Sequence, residues 1–520
     1  MSEIAALVAD NLDIWTGAIE RKSGAGRGGG KRISLYGIDR LRALILDLAV
    51  RGKLVPQDAG DEPASELLKM VAADRKALIT QGKISKPKAL PKVGLDEISV
   101  PDAWATARFG NIFSLEYGDN LPEPKRSGTG EYSVYGSNGV VGTHHSYRIE
   151  QPCVVVGRKG SAGALNVSTE PCWVTDVAYY CIPPAGVDLR FQFILFHTLG
   201  LDVLGKGIKP GLNRNEANVL PVGLPPLAEQ QRIVAKVDEL MALCDALERE
   251  SAGAMVAHQT LVEILLATLV NSADATDLAR DWARLESHFD TLFTTDASID
   301  ALKQTILDLA VRGKLTSSTI EKHMRVGQIF NLIDGDRGQN YPKSEDYLTD
   351  GYCLFLSTKN VRKNGFLFNE LQYISQKKHL ELRQGTLNRG DLIITTRGTL
   401  GNIAFFDDQV DHSVIRINSG MLILRPISEE VFQNFMMIFV QSPSFGEQMR
   451  SKRSGSAQPQ IPAGILKTFV VPVFKKREQH RIVAKVDTLM ALCDALKARL
   501  ADAAQTQRHL ADAITQRAAA

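Results

Sequence analysis

The sequence predicts a mixed α/β protein: two globular α/β domains separated by two long helical repeats, packed as an antiparallel coiled coil under a pseudo-two-fold. Three observations lead there. Glu229-Gln-Gln-Arg-Ile-Val-Ala-Lys-Val-Asp-Glu-Leu-Met-Ala-Leu-Cys-Asp-Ala-Leu-Glu248 returns as Glu478-Gln-His-Arg-Ile-Val-Ala-Lys-Val-Asp-Thr-Leu-Met-Ala-Leu-Cys-Asp-Ala-Leu-Lys497, identical at 17 of 20 positions and displaced by 249 residues. Ile45-Leu-Asp-Leu-Ala-Val-Arg-Gly-Lys-Leu54 recurs unchanged from Ile306 to Leu315, displaced by 261. The segments between these blocks, 101–228 and 321–477, share no comparable identity. A fixed frame with variable inserts is the pattern of a recognition device.

The elements follow in order. Ile4, Leu7, Val8, Leu12, Trp15 and Ile19 recur at helical spacing and open a helical extension with the first fixed block, residues 1–100. Ser23-Gly-Ala-Gly-Arg-Gly-Gly-Gly-Lys-Arg32 breaks the pattern as a basic linker; it lacks the first glycine and the Ser or Thr of a phosphate-binding loop. Leu41–Val50 is a strong helix with Gly52 as its stop, and Pro63 stands at the first turn of the next. Pro87, Pro91 and Pro101 mark a linker into the first insert, 101–228.

Both inserts read as short strands mixed with helix. Cys153-Val-Val-Val-Gly157 and Asp391-Leu-Ile-Ile-Thr395 are expected buried strands, each running into a glycine-rich basic turn, Gly157–Gly163 and Arg397–Gly401. Such a turn presents amides and cations to a phosphate, and equally is a tight turn that needs glycine for positive φ. The central region 229–320 and the C-terminal stretch 478–520 carry the repeated helix. Its seam is Ile233, Val237, Leu240, Cys244 and Leu247, then Ile482, Val486, Leu489, Cys493 and Leu496, continuing through Leu500, Ala503, Gln507, Leu510 and Ile514. The 4-3 spacing is that of a coiled coil, and the simplest partner for each helix is the other copy.

Composition narrows the class. Hydrophobic content of 44% and charged content of 23% are ordinary for a globular protein, and no run of 18 apolar residues predicts a membrane span. The acidic N-terminus is unlike a signal peptide, so a cytoplasmic location is expected. The six cysteines form no metal-ligand spacing and read as small buried hydrophobes. Net charge is only +2, but 321–477 holds 21 Lys and Arg against 15 Asp and Glu, while 101–228 holds 10 against 11. The second insert alone is basic enough to suggest phosphate contact.

Catalytic motifs are missing from the sequence. No S-adenosylmethionine glycine motif, Asn-Pro-Pro-aromatic motif, Walker site, metal-ligand helix or nucleophile elbow occurs. Pro101-Asp102 with Glu123-Pro-Lys125 loosely matches a magnesium nuclease, but Pro124 removes a ladder donor from the strand that chemistry needs. No enzyme activity is expected of this chain.

With both blocks and both inserts laid out, the chain resembles the DNA-specificity subunit of type I restriction–modification systems over nearly its whole length. The doubled blocks carry the resemblance, together with Pro225-Pro-Leu-Ala-Glu-Gln230, Tyr135-Gly-Ser-Asn-Gly139 and Trp173-Val-Thr-Asp-Val-Ala178. The second junction, Pro472-Val-Phe-Lys-Lys-Arg-Glu-Gln479, departs by lacking the Pro-Pro pair. The extension before residue 35 is similar to the branch of the family with a long leader. The resemblance implies that the inserts are target-recognition domains, each reading half of a split, asymmetric site on double-stranded DNA. It further implies that the helices space them and dock two modification subunits, which restriction subunits join. No cofactor is expected in this chain; S-adenosylmethionine, ATP and magnesium are expected on the partners. No membrane partner is expected. The competing reading is a scaffold with duplicated coiled-coil arms and no DNA role.

On that reading the expected phosphate contacts are Lys125, Arg126, Arg158, Lys159, Lys206, Lys209 and Arg214 in the first insert. In the second they are Lys359, Arg362, Lys363, Arg397, Lys452 and Arg453. Asn213, Gln458 and Gln460 are expected base readers, because a side-chain amide pairs bidentately with adenine.

Overall fold

The computed structural model describes residues 3–22, 32–80, 89–94, 96–204, 211–363, 365–452 and 460–519. They form two compact units, one of residues 1–253 and 503–520, the other of 254–502.

In the first unit, helix α1 (Tyr36–Val50) buries Ile38, Leu41, Leu44, Ile45 and Leu48, a 3-4 spaced face. It stops as expected: Arg51 caps it and Gly52 takes φ +68°, the left-handed conformation that costs glycine nothing. The expected linker at 23–31 lies outside the described residues; its flanks, Glu20–Lys22 and Arg32–Ser34, pair as antiparallel strands.

The first insert opens and closes on one clasp, where β1 (Ala105–Arg108) pairs antiparallel with a strand at Pro221–Leu224. Between them lie β2 (Glu116–Tyr117), β3 (Tyr132–Gly136), β4 (Gly139–His144), β5 (Cys153–Gly157), β6 (Leu165–Ser168), β7 (Cys172–Val174) and β8 (Ala178–Cys181), then helix α2 (Leu189–Thr198). The closing strand is β9. An antiparallel sheet has the order β2-β8-β5-β6, and a second has β4-β3-β7 with β3 and β7 parallel. β5 is buried at every position, as its unbroken apolar run predicts.

Helix α3 (Leu227–Asn271) starts in this unit and ends in the other. By length and composition it is apolar enough to cross a membrane; 17% of its most apolar stretch is buried, and Val262, Leu266 and Leu269 lie in a protein core.

The second unit repeats the plan with an insert that lacks the near-identity of the helical blocks. Helix α4 (Asp296–Val311) carries the second copy of the short block and ends before Gly313 at φ +74°. Its insert is clasped by β10 (Lys322–Arg325) and a strand at Val470–Val473. Inside are β11 (Phe330–Asp334), β12 (Cys353–Leu356), the hairpin β13 (Val361–Arg362) and β14 (Gly365–Phe366), and β15 (Tyr373–Ile374). There follow β16 (Leu392–Thr395), β17 (Ile403–Phe405), β18 (Ile415–Ile417) and β19 (Met421–Pro426), then helix α5 (Gln433–Gln441) and the closing strand, β20. The four-stranded order is β11-β19-β16-β17, and the three-stranded order β15-β12-β18 again has one parallel pair, β12 and β18. Helix α6 (Lys476–Ala519) starts here and ends in the first unit.

The seam residues are buried or half-buried, but the two copies enter different cores. Ile233, Val237, Leu240 and Cys244 pack in one core with α1, and Ile482, Val486 and Cys493 in another with Ile299, Leu302 and Ile306 of α4. Arg42 binds Asp245 at 2.6 Å and Glu248 at 2.7 Å while Gln57 reaches Glu229 at 2.7 Å, so α1 and the start of α3 are antiparallel. Tyr36 and Arg40 meet Asp512, and Arg51 and Lys53 meet the Ala519 carbonyl, so the end of α6 runs parallel to α1 and therefore antiparallel to α3. In the second unit, Lys303–Asp494, Lys497–Asp300 and Ser318–Glu478 tie α4 antiparallel to the start of α6, and Lys314 binds the Val270 and Ser272 carbonyls at the end of α3.

The helices are antiparallel as expected. The correction is that each repeated stretch shares its core with the distal half of the other long helix plus one short repeated helix, not with its own copy. The expected continuation also shifts: Leu510 is 45% exposed, whereas Ala511 is fully buried. A straight helix drifts about 20° per heptad from a 3.5 repeat, which moves the buried face by one residue over that length.

Gln230 and Gln479, at equal places in the two copies, are both fully buried. Gln230 accepts from the Asp188 amide and donates to the Gly186 and Pro225 carbonyls; Gln479 accepts from the Phe432 amide and donates to those of Glu430 and Phe474. Asp188 and Phe432 are the N-caps of α2 and α5. The same fastening forms at the second junction without the Pro-Pro pair.

Candidate nucleic-acid interface

In the first insert several strand ends converge on one loop cluster. A Cβ on Gly157 would stand 2.0 Å from the Ser161 carbonyl and 2.4 Å from that of Ser137, so the β3–β4 and β5–β6 turns touch through a glycine. The Arg158 and Lys159 amides donate to the Val177 carbonyl at 2.9 and 3.0 Å, and Leu212 donates to the Arg158 carbonyl at 2.8 Å. Lys159 is bridged to Gly211. Gly118, after β2, lies where a Cβ would be 2.3 Å from the Thr175 carbonyl.

The second insert builds the same cluster. A Cβ on Gly335, after β11, would be 2.2 Å from the Asn418 carbonyl. Thr396 donates to the Gly420 carbonyl at 2.9 Å, Ile461 donates to that of Thr396 at 3.1 Å, and Arg397 is bridged to Gln460. Asn402 donates to the Val361 carbonyl at 2.9 Å, which sets the β13–β14 hairpin beside this turn.

The expected contacts divide accordingly. Arg158, Lys159, Asn213 and Arg214 come together. The Arg158 and Arg214 guanidiniums each lie 4.8 Å from the Tyr117 ring centre and donate to carbonyls, Asp176 and Leu115 respectively, rather than to carboxylates. Each charge is therefore held in place by an aromatic ring and a carbonyl. Asn213 caps the short helix Arg214–Asn218 by accepting from the Asn215 amide, so its oxygen is already engaged and a bidentate grip on adenine needs that bond broken. In the other insert Arg397 and Gln460 are adjacent, with Lys359, Arg362 and Lys363 on and around the neighbouring hairpin; Lys359 also pairs with Glu370 at 3.5 Å.

Of the other expected residues, Lys125, Arg126 and Lys452 do not join a cluster. Lys125 is exposed on a 3-10 turn, Glu123–Lys125, which also removes the strand that a nuclease would need. Arg126 donates to the Leu121 and Val141 carbonyls. Lys452 donates to the Thr468 hydroxyl at 3.0 Å and lies 5.4 Å from the Phe469 ring centre. Lys206, Lys209, Arg453 and Gln458 lie outside the described residues. Among the described residues, no group of His, Cys, Asp and Glu could hold a metal ion.

Sequence reasoning missed Tyr117, packed 5.0 Å from Tyr179, and Arg337, which donates to the Ser419 carbonyl at 3.3 Å. It also missed the paired glycines. A signal for them was present, because Glu116-Tyr-Gly-Asp119 and Ile333-Asp-Gly-Asp336 place a Gly-Asp pair at the same point of both inserts.

Two domains of one topology, each ending in a loop cluster with basic side chains and each mounted on a copy of one helical frame, define a duplicated recognition protein. The model of the type I restriction modification DNA specificity domain matches residues 101–252 and 321–505, and the chain belongs to that family. It is 31% identical to the type I restriction enzyme EcoAI specificity subunit of Escherichia coli, over 99% of each chain. It is equally 31% identical, over 99% of each, to the EcoEI specificity subunit of the same species. A solved chain described under complex assembly and conformational transition of the type I R-M system overlays at 17% identity, covering 83% of this chain and 99% of that one, with a TM-score of 0.49. The scaffold reading finds no support in these likenesses.

Proposed function

We propose that this chain gives a type I restriction–modification complex its DNA sequence specificity, with each insert reading one half of a split site on double-stranded DNA. The observation that carries this is the recurrence of one sheet topology and one loop cluster in two inserts that lack the near-identity of the helical blocks. Common topology with divergent loops suits two readers of different sequences built for one task. Side chains at groove edges specify bases, whereas the shared frame does not.

The helical frame would dock two copies of one modification subunit. Ala235, Asp238, Ala242, Leu243 and Ala246 are exposed, and so are their identical counterparts Ala484, Asp487, Ala491, Leu492 and Ala495. Leu243 is 41% exposed and Leu492 62%; an apolar side chain kept on the surface at both copies fits a partner that binds twice. Methyl transfer and ATP-driven cleavage, with S-adenosylmethionine, ATP and magnesium, would then belong to partner subunits.

Sequencing methylated adenines genome-wide in cells with and without this gene tests the proposal. A bipartite motif that vanishes with the gene is expected. An unchanged methylome in a host whose modification subunit is active refutes it.

A further inference from the structure

The two glycine-rich turns are the same object in the two inserts. Lys159-Gly-Ser-Ala-Gly163 joins β5 to β6, and Arg397-Gly-Thr-Leu-Gly401 joins β16 to β17, the corresponding strands of the two four-stranded sheets. Gly160 and Gly398 take φ +82° and +72°, and Gly163 and Gly401 both take +78°. The basic residue before the first glycine is bridged in each case to the segment that returns toward the clasp, Lys159 to Gly211 and Arg397 to Gln460. Lys159, not Arg158, is therefore the counterpart of Arg397.

The turn's geometry accounts for the glycines and for nothing else. Positive φ at two positions demands glycine there. It does not demand a cation at the position before, nor a hydroxyl, Ser161 or Thr399, at the position after the first glycine. A cation and a hydroxyl nonetheless stand at these positions in both inserts, Lys159 and Ser161 in one and Arg397 and Thr399 in the other. Lys159 and Arg397 are exposed, and among the described residues neither side chain makes a hydrogen bond or ion pair. Arg158, by contrast, is packed against Tyr117 and tied to the Asp176 carbonyl.

We infer that Lys159 and Arg397 are paired, equivalent grips on the DNA phosphate backbone, one in each half-site, that fix each domain's position on the duplex without reading sequence. Ser161 and Thr399 supply a second donor to the same phosphate. This rests on the DNA-reading proposed above and assigns within it which turn residue holds phosphate. A cation on a phosphate releases about one counterion, so each grip adds nearly one unit to the salt slope and is worth roughly eightfold in affinity at about 0.1 M salt.

The test uses the full chain with the subunits that co-purify with it, a random-sequence DNA duplex as probe, and dissociation constants across a range of sodium chloride. Lys159→Gln and Arg397→Gln should each weaken binding and lower the slope by about one unit, and the double variant by about two. Lys159→Arg and Arg397→Lys should restore both, and the methylated sequence should stay the same in every variant. A normal wild-type slope left unchanged in the double variant overturns the grip while leaving the DNA-reading standing. A changed methylated sequence also overturns it, because the turn would then read bases. A wild-type complex with no salt-dependent binding overturns both.

Discussion

Substituting Gln479 by leucine removes three buried hydrogen bonds at once. The Phe432 amide loses its acceptor, and the Glu430 and Phe474 carbonyls lose their donor, all at a side chain with no exposed surface. Leucine keeps much of the volume, so the loss is one of pairing rather than packing. At about 1 kcal/mol net for each bond the cost is roughly 3 kcal/mol, and more where a group is left unsatisfied. For a unit of this size a kilocalorie lowers the melting point by about 2–4 °C, so calorimetry should find the second unit melting about 6–12 °C lower. Gln230→Leu removes the matching bonds to Asp188, Gly186 and Pro225 and should lower the first unit by a similar amount. Gln231→Ala, one residue on and exposed, is the control and should shift nothing. A shift under about 2 °C for either buried glutamine would refute the idea that this residue fastens its insert to the frame.

Acid stability offers another check. Arg232 makes two hydrogen bonds to Asp61, at 3.1 and 2.6 Å, and holds its carboxyl below the usual carboxylate range. A carboxyl whose folded pKa is depressed stabilises the fold above its unfolded pKa, and that stabilisation is lost as pH falls through the folded pKa. The stability gap between wild type and Asp61→Asn should therefore be full above the usual carboxylate range, about pH 4 to 5, and should narrow progressively as pH falls below it in urea titrations at a series of pH values. A gap independent of pH would show that the ion pair does not set it. The long helices supply a third prediction, because both α3 and α6 pass from one unit into the other. A heptad added after Glu248 alone leaves α6 unmatched and should abolish methylation. Heptads added after both Glu248 and Lys497 add about 10 Å, and should lengthen the spacer of the methylated motif by about three base pairs. An unchanged spacer with undiminished methylation from the paired insertion would show that the helices are not the ruler.

Much of the frame was legible in the sequence because its signals are local. Repetition marks two units, a 3-4 apolar spacing makes α1 and the long helices, and Gly52 ends α1 for want of a Cβ. The unbroken run Cys153–Gly157 is a buried strand on the same local ground. The basic turns were legible too, since glycine beside lysine or arginine can be read without a fold. The partner of each seam was not legible. A 3.5 repeat states that a face is covered but not by what, and the covering helices come from hundreds of residues away.

The role of individual cations was equally hidden. Arg158 and Lys159 are neighbours in sequence, yet one is held by Tyr117 and Asp176 while the other is exposed on the surface with no side-chain partner among the described residues. Asn213 carries the side chain of a base reader and spends its oxygen on a helix cap. Composition and periodicity alone determine a duplicated helical frame with two variable inserts, because spacing along a chain fixes secondary structure and burial. Only the tertiary structure decided that the inserts share one topology and that Lys159 matches Arg397, because strand order and side-chain partners depend on contacts between residues far apart in the sequence.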